Sequence, residues 1–355
     1  MHSLELKGLV KSWPELKVHV DLHAGSGRIL GIVGPSGCGK STMLRMVAGL
    51  ERPDSGSIIV GGKDVTMAEP SARGIGMVFQ DYALFPHLDV AGNVGYGLRY
   101  KGQRKKLHIE KLLQSVRLTG FNHRKPHELS GGERQRVALA RTLAVEPGVI
   151  LFDEPLSSLD GTLRRQLRSE IAAEQKRLGF TAVYVTHDLE EAMAISDTLA
   201  IMDHGTILQC ATPRDLWDTP ASVAVARLMG SGPCLPIVRF EKDSSGIVAC
   251  TATGRFTVPE ACARTFSASP GSTATFSLPM YLYFGRNAAI PSGNVQSPET
   301  GYLEARCLRS DFAGDAVDCS MEAGGEYFTL RFTAGTAPSP GENCFFRIKN
   351  ATCLS

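Results

Sequence analysis

The chain has 355 residues, of which 43% are hydrophobic and 21% charged, with a formal net charge of +2. That length predicts two domains rather than one, and the near-neutral balance excludes a surface built to attract a long polyanion such as a nucleic acid. No apolar run reaches the roughly 18 residues that span a bilayer. Residues 1–7 lack the apolar core of a signal peptide. A soluble, cytoplasmic chain is therefore expected, with any membrane role carried through partners.

In chain order, residues 4–10 and 16–22 alternate apolar and polar side chains, the period of half-solvated antiparallel strands. Trp13 lies between them. Arg28 to Val33 is a short apolar run of strand type, and Thr42 to Leu50 suits a helix. Between them runs Gly34-Pro35-Ser36-Gly37-Cys38-Gly39-Lys40-Ser41, the pattern of a phosphate-binding loop. Its glycines permit backbone conformations that side chains block, so the loop N–H groups can face a polyphosphate at the positive end of the following helix. Lys40 would meet the terminal phosphates, and the Ser41 hydroxyl would join a Mg²⁺ shell of phosphate and water oxygens.

Residues 51–66 read as a small hairpin, and Gly74 to Phe79 as a buried strand ending at Gln80. From about residue 81 to 148 the pattern is helical. The basic stretch from Arg99 to Lys111 reads first as a solvated helix face, with attraction to an anionic membrane surface as the alternative. Val149 to Phe152 suits a central parallel strand and ends at Asp153-Glu154, where ligands gather in open α/β sheets. Arg164 to Leu178 is an amphipathic helix, and Ala182 to Val185 another buried strand, ending before His187. Asp203-His204-Gly205 marks a hairpin, and Leu216 to Met229 a last helix. Gly230 to Pro236 reads as a linker. After it helical periodicity fades and short strands alternate with Gly, Pro and Ser, the texture of a small all-β barrel. Seven of the nine cysteines fall after residue 230, spaced too irregularly for a zinc ribbon, so reduced structural thiols are expected.

Residues 4–230 as a whole resemble the ATP-binding cassette of ABC transporters. Gly34 to Ser41, followed by Thr42, matches Walker A, and Gln80 matches the Q-loop. Leu129-Ser130-Gly131-Gly132-Glu133-Arg134-Gln135 matches the family signature. Val149 to Pro155 matches Walker B with its following glutamate, Ser157 to Asp160 the D-loop, and His187 the switch histidine. The tail resembles the TOBE-type extension of importer ATPases, with Gly285-Arg286-Asn287 where that family has Arg-Pro-Glu. Residues 79–98 and 159–168 are similar to the ferric iron, thiamine, polyamine and sulfate uptake group.

The resemblance implies an α/β P-loop NTPase cassette over residues 1–230, with a RecA-like core, an antiparallel β subdomain and a helical signature subdomain near 81–148. A small all-β, barrel-like regulatory domain would follow over 231–355. It also implies ATP and Mg²⁺ as cofactors and Trp13 as the ring stacked on adenine. Asp153, with Ser41 and Gln80, would hold the metal. Glu154 would act as the base for the attacking water, and His187 would tie that glutamate to the γ-phosphate. Such chemistry is mostly positioning and charge neutralisation, so these groups must converge. Ser130, Gly131 and Gly132 would close over ATP bound to a second copy, with Asp160 at the same interface. The same sequence equally suits a helix N-cap, with Ser130 as cap and Glu133 three residues on. The expected partners are a second copy, transmembrane permease subunits and, indirectly, a solute-binding protein at the cytoplasmic face of the inner membrane; nucleic acid is not expected. Long coiled-coil inserts or a second cassette would mark a soluble, non-transport ABC ATPase instead, and neither is visible.

Overall fold

The computed structural model describes residues 2–99, 101–157, 161–230, 232–243, 246–258, 273–274, 281–283, 289–292, 302–314, 316–333, 335–348 and 352–354. The chain separates into two compact units, residues 1–213 and 214–355.

The first unit is built on a ten-stranded sheet. Its strands are β1 (Leu4–Ser12), β2 (Lys17–Ala24), β3 (Ile29–Val33), β4 (Ser55–Val60), β5 (Lys63–Asp64), β6 (Ile75–Val78), β7 (Val149–Asp153), β8 (Thr181–Thr186), β9 (Thr198–Asp203) and β10 (Thr206–Ala211). The helices are α1 (Lys40–Ala48), α2 (Val90–Val94), α3 (Gly102–Ser115), α4 (Gly131–Leu143), α5 (Gly161–Leu178) and α6 (Leu189–Ile195). Strand order is β5-β4-β1-β2-β10-β9-β3-β8-β7-β6. The run from β9 to β6 is parallel; β1, β2, β4 and β5 pair antiparallel.

Composition explains the split. Every residue of β3 and β8 is buried, as a parallel strand covered on both faces requires. The β2 strand alternates exposed and buried residues, with one face in water. One core joins the antiparallel strands to α1 through Leu4, Leu9, Val20, Met43 and Leu44. A second lies under α2–α5 and contains Val90, Leu113, Val137, Phe152 and Ile171. The basic stretch falls mainly on α3, whose Arg104, Lys106 and Lys111 are exposed.

Two sequence expectations are revised in the second unit. The single helix expected from Leu216 to Met229 is two, α7 (Pro213–Asp218) and α8 (Val223–Met229). Pro220 stands between them without an N–H to continue a helix, and Ser222 starts the second by accepting from the Val225 N–H at 3.3 Å. The compact boundary also lies upstream of the linker at Gly230. The reason is packing: Val223 and Ala226 of α8 share a cluster with Cys234, Tyr283 and Leu354, and Arg227 pairs with Glu326 at 2.7 Å. The Tyr283 hydroxyl also donates to the Trp217 carbonyl at 2.9 Å.

From Cys234 onward the described elements are strands in three antiparallel sheets. They share a core that includes Phe240, Phe256, Leu303, Met321 and Phe346. Among the described cysteines, Cys38, Cys210, Cys234, Cys250, Cys307, Cys319 and Cys344 are free thiols. Burial pushes Cys234 and Cys344 up to about 11. Gly285, Arg286, Asn287 and Cys262 lie outside the described residues.

Candidate nucleotide site

Parallel register levels the functional strand ends. Val33 of β3 stands opposite Thr186 of β8, Asp153 of β7 opposite Val185, and Val78 of β6 opposite Phe152. Gly34, His187, Glu154 and Gln80 therefore all emerge just past one edge of the sheet.

The loop after β3 is shaped by what its glycines allow. A Cβ on Gly34 would lie 1.9 Å from the Met202 carbonyl oxygen, a clash with backbone that no rotamer relieves. Gly39 has φ +107°, and Leu16 and Val18 crowd its open side. That crowding places the turn between β1 and β2, which carries Trp13, beside the loop. Trp13 is 39% exposed, and the Lys11 ammonium lies 5.5 Å from its ring centroid. Pro35, Ser36 and Gly37 are exposed, while Cys38 is buried and its carbonyl accepts from the Gly205 N–H at 2.9 Å. Burial also raises the Cys38 thiol. Lys40 is only 4% exposed, and its ammonium donates to the Gly34 and Pro35 carbonyls at 2.8 Å each, so a full charge sits inside the curl of the loop. Thr42 follows, half-buried in the first turn of α1.

Ser41 donates from its hydroxyl to Asp153 Oδ1 at 2.9 Å. Burial raises the Asp153 carboxyl, and the Ser41 hydrogen bond opposes that rise. Next along, Glu154 has φ +46°, a left-handed conformation that costs a non-glycine residue about 1–3 kcal/mol. Its backbone N–H donates to Val185 at 3.0 Å and its carbonyl accepts from the Ser157 hydroxyl at 3.0 Å, which hold it there. That turn aims the carboxylate at His187, whose Nδ1 is 2.8 Å from Glu154 Oε2. Gln80 is exposed beyond β6.

Ser130 lies elsewhere, at the start of α4. It accepts from the Glu133 N–H at 3.3 Å, while its own N–H donates to Glu133 Oε2 at 2.7 Å. The capping-box alternative is therefore present, and the Ser130 N–H holds the Glu133 carboxyl below its usual range. Ser130 is exposed, Gly131 half-buried and Gly132 buried against Leu163 and Leu167. No described hydrogen bond joins these three to the phosphate loop. Asp160 lies outside the described residues.

Sequence reasoning missed several residues that hold this site. Arg73 is 4% exposed and donates to the carbonyls of Met46, Val47, Thr66 and Ala68 at 2.7–3.0 Å. It thereby satisfies the open end of α1. Tyr82 and Ala83, just after Gln80, have φ +63° and +45°, and Arg141 of α4 donates to both carbonyls. The buried Asn93 amide clamps Phe85 from both sides at 2.8 and 3.1 Å. Behind His187, Glu191 accepts from the Tyr184 hydroxyl and, at 3.3 Å, from the Thr186 hydroxyl. A lone Arg, Asn or Glu gives no periodic or spacing signal, so only the fold reveals these.

A strand, a phosphate loop capping a helix, and an Asp-Glu pair at the neighbouring strand end define a P-loop nucleotide-binding protein. The ABC transporter family model matches residues 18–157. The chain is 51% identical over 232 residues to the Fe(3+) ions import ATP-binding protein FbpC of Rhizobium etli, covering 64% of this chain and 65% of that protein. It therefore spans just under two thirds of that relative's length. It is 44% identical over 307 residues to the protein of the same name from Brucella abortus, covering 86% and 82% respectively. The sn-glycerol-3-phosphate import ATP-binding protein UgpC of Chromohalobacter salexigens is 46% identical over 254 residues, covering 70% and 68%. Among solved structures, the dimeric ATP-binding cassette MJ0796 bound to ADP and Pi, in a post-hydrolysis state, matches with TM-score 0.53 and 30% identity. That match covers 59% of this chain and 99% of that one. The chain belongs to the ABC transporter family.

Proposed function

We propose that this chain is the ATP-hydrolysing subunit of an ABC importer. The observation that carries the reading is the Glu154–His187 pair at 2.8 Å, set at the same sheet edge as the Ser41–Asp153 contact. Lys40 and the loop N–H groups bind and orient the phosphates of ATP. Trp13 stacks on the base. Ser41, Asp153 and Gln80 fit Mg²⁺ because they are hard oxygen donors converging on one edge, two of them already in hydrogen-bond contact. The metal, when bound, neutralises phosphate charge. Glu154 holds the attacking water and takes its proton, and His187 keeps that carboxylate aimed.

The dimeric, nucleotide-bound neighbour supports a homodimer in which Ser130, Gly131, Gly132 and Asp160 of one copy complete the other's site. The described residues contain no helix long and apolar enough to cross a membrane. In this reading the chain works peripherally, at the cytoplasmic face of the inner membrane, on transmembrane permease subunits supplied by a solute-binding protein. The import names of the relatives support this. Two of those named above concern ferric iron, which we take as the solute. The β-rich C-terminal unit is the TOBE-like regulatory part.

Glu154→Gln tests the reading. It keeps ATP binding and lowers steady-state phosphate release by about 10²–10⁴-fold, the usual contribution of a general base. Release within a factor of two of wild type removes Glu154 from that role.

A further inference from the structure

The last turn of α4 grips the stretch that carries Gln80 from both sides. Thr142 packs so tightly against β6 that a Cβ on Gly76 would lie 2.4 Å from its Cγ2. Arg141, one residue earlier, reaches past the end of β6. Its Nη1 donates to the Ala83 carbonyl at 2.7 Å and its Nη2 to the Tyr82 carbonyl at 3.0 Å. Both acceptors belong to residues with left-handed backbone, φ +63° at Tyr82 and +45° at Ala83, and neither is glycine. Such conformations are sparsely populated and persist only where the surroundings impose them. Local bonds close the turn: the Tyr82 N–H donates to the Phe79 carbonyl at 2.9 Å and the Ala83 N–H to Asp81 Oδ1 at 3.2 Å. The two carbonyls are fixed from outside, by Arg141.

Two neighbouring carbonyls are the complement of a guanidinium, whose planar fork presents its N–H groups in a fixed geometry. The Arg141 side chain is itself steadied, lying half-buried with its guanidinium 5.3 Å from the Phe85 ring centroid. We propose that Arg141 is a positioning residue for ATP hydrolysis: by pinning the strained Tyr82–Ala83 turn to α4, it holds Gln80 at the sheet edge shared with Asp153 and Glu154. The guanidinium touches no reacting atom and acts through a turn that begins two residues beyond Gln80. The helix it belongs to is capped by Ser130, about 16 Å away along the axis. One rigid helix thus runs from the signature cap to the clamp on the Gln80 turn. The inference rests on the place given above to Gln80 among the metal-binding oxygens.

The test combines Arg141→Met with Ala83→Gly in the full chain. Methionine keeps an apolar stem against Phe85 and removes both donors. Glycine enters the left-handed region unaided, and Ala83 is exposed, so that exchange removes nothing packed. Arg141→Met should lower kcat for ATP hydrolysis by about 10- to 100-fold, the scale set by a misplacement of about 1 Å. KM for ATP should stay within about three-fold, because the phosphate loop is untouched. Adding Ala83→Gly should recover about five-fold of the lost turnover, whereas a variant that had merely damaged the core would gain nothing. Hydrogen exchange without nucleotide, followed by mass spectrometry, gives a second readout. The amides of residues 82 and 83 should exchange about ten-fold faster in Arg141→Met and slow again in the double variant. Gln80→Ala sets the scale and should lose at least as much turnover as Arg141→Met. A near-wild-type kcat for Arg141→Met beside a slow Gln80→Ala overturns the clamp. So does a double variant as slow as the single one. Wild-type turnover by Gln80→Ala overturns the metal reading of Gln80 instead, and the purpose given to Arg141 falls with it.

Discussion

Glu191 offers a sharp check on how the site is held, because it touches no nucleotide group. It is 3% exposed and accepts from Tyr184 and Thr186, which are 0% and 2% exposed. Glu191→Ala leaves the Tyr184 hydroxyl without an acceptor where water cannot reach, a loss of about 1–3 kcal/mol. For a unit of this size each kcal/mol moves the melting temperature by about 2–4 °C, so the drop is about 2–12 °C. Glu191→Gln retains an acceptor oxygen for Tyr184 and should recover most of that loss. Burial raises the Glu191 carboxyl. Its contribution to stability is then fully present below the unfolded carboxyl value, near 4.3, and is lost as pH rises through the folded one. Glutamine does not titrate. The melting temperature of Glu191→Gln relative to wild type should therefore climb from pH 4 to pH 8. Calorimetry on the full chain, following the transition that ATP shifts upward, measures both effects. Thr186 precedes His187, so ATP turnover should fall in the alanine variant and persist in the glutamine one. A flat or falling pH difference, or an alanine variant that melts and turns over as wild type does, refutes this account of the network.

Gly34→Ala should abolish nucleotide binding by forcing β3 and β9 apart, since the clash is with the Met202 backbone; equilibrium binding of a fluorescent ATP analogue at wild-type affinity would contradict it. Ser130→Arg should bind ATP as a monomer but no longer dimerise in a Glu154→Gln background, read by size-exclusion chromatography with ATP; unchanged dimerisation removes the shared-site model. A chain ending at Pro213 should be soluble and bind ATP, whereas one ending at Gly230 should aggregate more because it exposes Val223 and Ala226; equal behaviour of the two would show that α7 and α8 need no β partner.

Much of the first unit was legible because its signals are local or periodic. The phosphate loop, the apolar run Val149 to Phe152 that leads β7 to Asp153, and the helix cap at Ser130 are each specified within a few residues. The clamps were not. Arg73 acts on carbonyls from two separate stretches of chain, and Asn93 on a loop whose left-handed residues carry no glycine to announce them. The boundary shifted for a related reason. Gly230 reads as a linker from composition, yet as a helix C-cap with φ +58° it ends α8 rather than a domain. The residues that decide where α8 belongs, such as Tyr283 and Leu354, lie far along the chain.

The levelled strand ends have a consequence for anyone re-engineering this chain. Neighbouring strands advance about 3.3 Å per residue, so one residue inserted within β3, β7 or β8 would carry Gly34, Glu154 or His187 a full step off the common edge and flip the faces behind it. The same insertion at the β4–β5 turn, around Gly61 and Gly62, changes no register among the parallel strands. A random-insertion library sorted for nucleotide binding should therefore return a map of bare gaps over three short strands, bounded by tolerated sites: a ruler of the sheet.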